Sequence, residues 1–463
     1  MILRRHIRIV VALAALALLA GACQSRPRGA ATSSGTAVPA GTEAPAAEAP
    51  PASTVGASDA VAQGYKILLA RLVLPIQPSD LLAGAWSGAV AEARREGVTS
   101  IPALPPLGPD PDADLTVFQT AFATLLSTGR GKLDEGSMER AALNSMAESV
   151  NDCHTAYLTR DQWQTIDADL SGQELIDGLP LTFQLQSPYL IETVVAGSNA
   201  DQQGVKPGDR IVSFDGAVLD QVPLSQRKFL GTGAAGSSAR LDIQSPSGRR
   251  RTVSVRRETV DRPVLVTQVI GNVGYIRLRT FSLNLSPMID PTLSALMSQG
   301  ARGFVLDLRG NLGGELNSDV QLLSRFIPSG LLATSIGRDG RSDEVRAVGN
   351  VLPGPPPLVV LVDGGSLSAS ELFAEAIEQF HAGEIVGTRT PGCLLGSSFR
   401  SLADGSSMQV TVVNVTVGPK QTVVNNAGVE PDVTVPTGPD DFAARRDPQL
   451  DRAVADVQTR LGP

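Results

Sequence analysis

A serine at the junction of a buried strand and a helix is placed for nucleophilic chemistry, and Leu358-Val-Val-Leu-Val-Asp-Gly-Gly-Ser-Leu-Ser-Ala-Ser-Glu371 has that layout. The apolar run predicts a strand, the glycines a tight turn, and Ser368 the start of a helix. There the hydroxyl is held on a turn, and N–H groups at the helix start can donate to an oxyanion. Taken alone, the residues have a plainer use. Ser368-x-x-Glu371 is also a capping box, in which the serine oxygen satisfies an orphan N–H. A second apolar run, Gly303-Phe-Val-Leu-Asp-Leu-Arg-Gly-Asn-Leu-Gly-Gly314, ends in another glycine turn. Strand ends in α/β sheets are where ligands bind, and Gly313 and Gly314 allow backbone N–H groups to approach a carbonyl closely. A turn that sterics alone require is the other use of such a pair.

A third segment, Gly204-Val-Lys-Pro-Gly-Asp-Arg-Ile-Val-Ser-Phe-Asp-Gly216, resembles the loop and strand of a PDZ domain. The two glycine-turn segments resemble the paired signatures of the C-terminal processing peptidases, family S41. Gly428-Val-Glu-Pro-Asp432 carries the resemblance toward the C-terminus. It implies an α/β (α+β) multidomain chain with an N-terminal helical region, a PDZ-like β module and a ClpP/crotonase-like α/β catalytic core. It also implies a serine peptidase whose PDZ module captures unstructured polypeptide C-termini. Ser368 would be the nucleophile, and the N–H of Ala369 with one from Gly313 or Gly314 the oxyanion hole. The carboxylate-binding loop is expected at Gly178, Leu179, Pro180 and Leu181. No cofactor is implied.

This sequence departs from the typical member at the base. Cys393 stands where the family lysine is expected, and no lysine occurs between Ser368 and Lys420. Histidine is the side chain best suited to replace it near neutral pH. Of three histidines, His6 belongs to the leader and His381 suits the dipole at the end of its helix. His154 lies in Asn151-Asp-Cys-His-Thr-Ala-Tyr157, which resembles the Asp-x-His-Thr element of the tricorn-core branch of S41, where that histidine is the base. A structural histidine capping the helical region is the alternative. The branch's orienting carboxylate maps onto Asn425, whose amide would orient an imidazole with less electrostatic help. With both assignments in place, the resemblance implies a Cys153–Cys393 disulfide, stabilising by up to roughly 5 kcal/mol in the chain-entropy model. Two buried free thiols are the alternative. The histidines are isolated and no paired Cys or His spacing occurs, so no metal site is expected.

The remaining sequence divides by texture. Residues 1–22 read as a signal peptide: Arg4, Arg5 and Arg8 precede an apolar run too short to span a membrane. Small residues before Cys23 resemble a bacterial lipoprotein processing site. They imply a lipid-anchored protein on the extracytoplasmic face of the membrane, with residues 23–58 as a flexible Ala/Pro/Ser-rich linker; an ordinary signal peptide with Cys23 lost or left free is the alternative. Residues 59–165 carry helical periodicity, and residues 166–258 short β-like runs broken by Gly and Pro. Strand and helix patterns alternate through 259–440, and 441–463 close the chain as a helix. With 4 % aromatic residues and a net charge of −8, the chain lacks the profile of a nucleic-acid binder. Two functions follow: an endopeptidase acting through an acyl-enzyme, with activity rising through about pH 6.5, or an inactive S41-like protein that binds peptides or another ligand.

Overall fold

Apolar residues at helical spacing become four helices at the start of the computed structural model, which describes residues 58–462. The leader, Cys23 and most of the expected linker lie outside the described residues. The helices are Ser58–Arg71, Pro78–Arg95, Pro111–Thr128 and Glu135–Glu148. Asp110 and Asp134 begin two of them by accepting N–H groups that have no intrahelical partner. Tyr65, Leu68, Phe118, Phe122, Met138 and Leu143 fill the space between them. Gly88 permits a close crossing, since a Cβ there would lie 2.2 Å from the Ala141 carbonyl oxygen.

The region expected to stay helical to residue 165 instead contains a strand, Ala156–Leu158. It pairs antiparallel with Ser407–Val417, Ala156 opposite Gln409. Three residues carry too little periodicity to be read, and the partner is remote in sequence. The consequence is mechanical: the segment bearing His154 is fastened to a sheet of the C-terminal half. Helix Arg160–Leu170 follows, opened by a Thr159/Gln162 capping box.

In the β module, Arg210–Phe214, Ser238–Gln244 and Arg250–Arg256 form one sheet with Ala217–Val218 at its edge. Alternate residues Ala239, Leu241 and Ile243 point inward, the period of two that a half-buried strand requires. Leu181–Phe183 pairs with Ile191–Val194, and Leu175–Gly178 with Glu258–Asp261.

The C-terminal half is built on a six-stranded sheet ordered Leu265–Ile270, Val273–Leu278, Gly303–Asp307, Leu358–Val362, Glu384–Gly387, Val433–Thr434. Only the first pair is antiparallel. Gly303–Asp307 and Leu358–Val362 are buried throughout, as central strands covered on both faces must be. Helices Ser286–Ser298, Leu316–Leu323 and Ala369–Gln379 pack on one face, and Pro448–Leu461 on the other. A second, antiparallel sheet joins Leu331–Gly337, Ser342–Arg346, Leu395–Ser401 and Ser407–Val417 to Ala156–Leu158. Among the described residues, no helix is long and apolar enough to cross a membrane.

Phe373 anchors the helix that begins after Ser368, with its ring fully buried against Phe281. Replacing it with alanine removes that contact and leaves a cavity. Phe373→Ala is therefore expected to lower unfolding free energy by about 3–5 kcal/mol, read by urea denaturation.

Candidate active site

Parallel pairing of Gly303–Asp307 with Leu358–Val362 sets the two glycine turns side by side. Asp363 bridges them, accepting from the N–H of Gly310 at 2.9 Å and of Gly365 at 2.8 Å. Asn311 ties them again. Its carbonyl accepts from Leu367 N–H and Ser370 Oγ, while its side-chain oxygen accepts from Gly313 N–H at 2.8 Å.

Ser368 then takes φ 55° and ψ −115°, a backbone state disfavoured for a residue with a Cβ. It is the cap of helix Ala369–Gln379 by its backbone. Glu371 accepts from Ser368 N–H at 3.0 Å, and Glu371 N–H goes to the Ser368 carbonyl. The serine oxygen instead faces His154 Nε2 at 3.4 Å. The structure thus joins the two uses of this motif: the glutamate half of the capping box forms, and the hydroxyl points into the cavity.

The residues expected to receive an oxyanion separate. Ala369 opens its helix, so its N–H has no intrahelical acceptor. Gly313 N–H is already committed to Asn311. Phe281 bonds the residues on either side of Gly314, leaving the Gly314 N–H without an acceptor among the described residues. Ala369 and Gly314 are therefore the available pair, and Gly313 serves by being small. A Cβ there would stand 2.7 Å from Ser368 Cβ and 2.9 Å from Ala369 N.

His154 is buried, and Asp152 shapes the turn that carries it, accepting from His154 N–H at 3.1 Å and Thr155 N–H at 2.6 Å. The structure places a disulfide between Cys153 and Cys393, closing 240 residues of chain. Cys393 Sγ lies 3.1 Å and Cys153 Sγ 3.4 Å from His154 Nδ1. Asn425 does not reach the imidazole. Its side-chain oxygen is buried without a hydrogen-bond partner, and the sulfurs occupy the side of the ring where an orienting group would stand. Burial first, and the charge of Lys228 second, hold the imidazole well below its ordinary pKa of 6.5. The neutral ring needed by a base therefore persists into mild acid. His381 is exposed beyond the helix end and His6 lies outside the described residues.

Glu371 holds Ser368 and the cysteine loop together. Besides Ser368 N–H it accepts from Cys393 N–H at 2.8 Å, Gly392 N–H at 2.7 Å and Thr390 Oγ1 at 2.7 Å. Burial raises its pKa, and these four donors oppose the rise. Sequence reasoning saw only its capping role. Asp152 was visible inside the Asp-x-His-Thr element, although its grip on the turn was not, and Lys228 carried no signal.

A cavity of about 970 Å³ opens between the β module and the core, lined in part by His154, Ser368, Ala369, Gly314, Leu372 and Leu394. The expected carboxylate-binding loop lies in the β module. Leu179 N–H is bonded to the Gly231 carbonyl at 2.9 Å, and Pro180 has no N–H. Gly178 ends one strand and Leu181 starts the next.

Comparison with known proteins agrees with this architecture. A sequence model of peptidase family S41 matches residues 272–435, and one of the PDZ domain matches residues 190–257. The carboxyl-terminal-processing protease of Picosynechococcus sp. is 32 % identical over 310 residues, covering 65 % of this chain and 74 % of that protein. The carboxy-terminal processing protease CtpA of Bacillus subtilis is 24 % identical over 303 residues, covering 65 % of each. Among solved structures, the photosystem II D1 C-terminal processing protease shares the fold with a TM-score of 0.53 at 24 % identity, covering 85 % of this chain and 97 % of that one.

Gly313→Ala, at φ 93°, is expected to displace Ser368 while leaving the fold intact. Covalent labelling of Ser368 by a fluorophosphonate should then slow by at least about tenfold in a protein that still folds cooperatively, with its melting temperature lowered by the strain of alanine at positive φ.

Proposed function

The chain belongs to peptidase family S41 and is a serine-type peptidase with a PDZ domain, and from that premise we propose an extracytoplasmic endopeptidase that cleaves polypeptides with unstructured C-termini through an acyl-enzyme on Ser368. The observation that carries the mechanism is the approach of His154 Nε2 to Ser368 Oγ, 3.4 Å in the unliganded site, from an imidazole kept neutral by its surroundings. Such contacts tighten when substrate binds.

Ser368 Oγ attacks the scissile carbonyl while His154 Nε2 takes its proton. The carbonyl oxygen becomes an oxyanion facing the N–H groups of Ala369 and Gly314, which are fixed in place before the charge develops. The tetrahedral species collapses, the C–N bond breaks, and the leaving amine receives the proton from His154. Water, deprotonated by the same imidazole, then hydrolyses the ester and returns Ser368 to its hydroxyl form. The disulfide holds the imidazole by packing against its Nδ1 edge, in the place where a carboxylate would act by charge.

Export and a lipid anchor on Cys23 complete the proposal, supported by the basic, apolar and small-residue succession of residues 1–23. A tether of that kind would leave the cavity free to meet chain ends at the membrane surface. The PDZ domain would deliver those ends.

Purified protein is expected to degrade casein, and Ser368→Ala or His154→Ala to lose turnover by roughly a thousandfold or more. Undiminished turnover in either variant would remove that residue from the mechanism. Because the base is the uncharged imidazole, kcat/KM should rise with pH through a limb below 6.5. A lysine base would place that limb near 10.4. Reduction that exposes two thiols should lower kcat by about tenfold and leave KM nearly unchanged, reversibly on reoxidation. Full activity with both thiols free would show that the disulfide plays no part in orienting His154.

A further inference from the structure

One charged side chain at the site comes from outside both catalytic segments. Lys228 follows the short helix Leu224–Arg227 of the PDZ domain. Its neighbour Phe229 is buried against Ala156, Leu158 and Ile166, so the backbone at this point is docked beside the strand that follows His154. From there Lys228 Nζ donates to the Cys153 carbonyl at 3.0 Å and to Gln409 Oε1 at 3.2 Å, and lies 4.8 Å from the centre of the Phe229 ring.

The bonded carbonyl belongs to a particular peptide group. The Cys153–His154 peptide offers its C=O to Lys228 and its N–H to Asp152 Oδ1. With both ends engaged, that peptide plane cannot rotate, and it sets the direction in which the imidazole leaves the backbone. Loss of the Lys228 contact would leave a half-buried carbonyl unpaired and one side of the plane free. We propose that Lys228 is a positioning residue for the catalytic base, supplied to the active site by the PDZ domain. The inference rests on His154 being that base.

Its charge acts in the same direction. An ammonium beside the imidazole disfavours the imidazolium, and so keeps His154 ready to accept a proton. The charged groups around the pair are few. Asp152 faces both from the His154 turn, and Glu371 stands beyond the Cys393 loop with its oxygens held by four donors. Gln409 and Thr411 face from the strand Ser407–Val417 and carry no charge, and the disulfide does not titrate. Burial pushes Lys228 down to about 7, with Asp152 opposing, so below neutrality the ammonium is present where the acid limb of activity lies.

The test uses the full-length protein as Lys228→Met and Lys228→Arg, beside His154→Ala. Methionine removes donor and charge, while arginine retains both. Lys228→Met is expected to lower kcat about tenfold with KM little changed, and to shift the acid limb of kcat/KM upward by about half a pH unit. Lys228→Arg should recover most of the rate and the native limb. Native kcat and an unmoved limb in a folded Lys228→Met would overturn the proposal. So would a loss of rate that arginine does not repair and that leaves the limb in place, because that is the behaviour of a space-filling side chain. Should Lys228→Met fail to fold, Lys228→Gln keeps a donor without charge; its acid limb should still rise, and an unmoved one overturns the electrostatic role. Activity surviving in His154→Ala would sink the assignment of the base itself. An inactive His154→Ala with an unaffected Lys228→Met would sink the present inference alone.

Discussion

Glu371 is the constraint from which the active-site geometry follows. Its carboxylate is buried at the start of the helix that Ser368 caps, a place where a lone charge would be costly. Four donors reach it, from Ser368, Thr390, Gly392 and Cys393. One side chain therefore fixes the backbone of Ser368 and the loop that meets His154. Both oxygens are occupied, so Glu371 does not compete for the serine hydroxyl. The strained φ of Ser368 persists because the surrounding bonds, those of Glu371 and Asn311 above all, over-determine it.

Across that loop, the disulfide solves a problem that the sequence sets itself. With Cys393 where the family lysine would stand, the proposed proton acceptor comes from a different segment, His154 lying 214 residues from Ser368 in the chain. Two attachments bring it there. Strand Ala156–Leu158 pairs with Ser407–Val417, and Cys153 is bonded to Cys393. The first aligns the segment along the sheet; the second brings its side chains to the cavity wall. Sulfur is a weak acceptor, so its contribution at Nδ1 is one of shape more than of charge.

Much of this was legible because the chemistry sits in local motifs. The Gly-Gly-Ser and Gly-Gly turns, the buried apolar runs before them and the Asp-Cys-His-Thr segment each announce a conformation within a few residues. The elements that escaped depend on distant partners. Ala156–Leu158 is a strand only because residues 407–409 lie beside it. Gly313 looks equivalent to Gly314 until Asn311 is seen to take its N–H. Asn425 is aligned with a carboxylate position by spacing, yet no spacing rule reports that two sulfurs stand on the ring edge it would have faced. Lys228 is one cation among many on a sequence page; only docking of the PDZ domain, through Phe229, gives it an address.

These pieces bear on how basic the imidazole should be. A strongly anionic partner at Nδ1 would favour the imidazolium, raising the affinity for the proton taken from Ser368 and stabilising the charge that forms. The site instead offers only sulfur, a weak acceptor, at Nδ1, while burial and a nearby cation favour the neutral ring. In the proposed mechanism, proton transfer from serine is thereby harder at the instant of attack, but the fraction of enzyme holding a free base is larger in mild acid. The energetic burden then shifts to the oxyanion donors and to fixed geometry, which is where Asn311, Asp363 and Glu371 concentrate their bonds. An active site of this design gains its rate from rigid placement, with little to spare for a displaced serine or a turned imidazole.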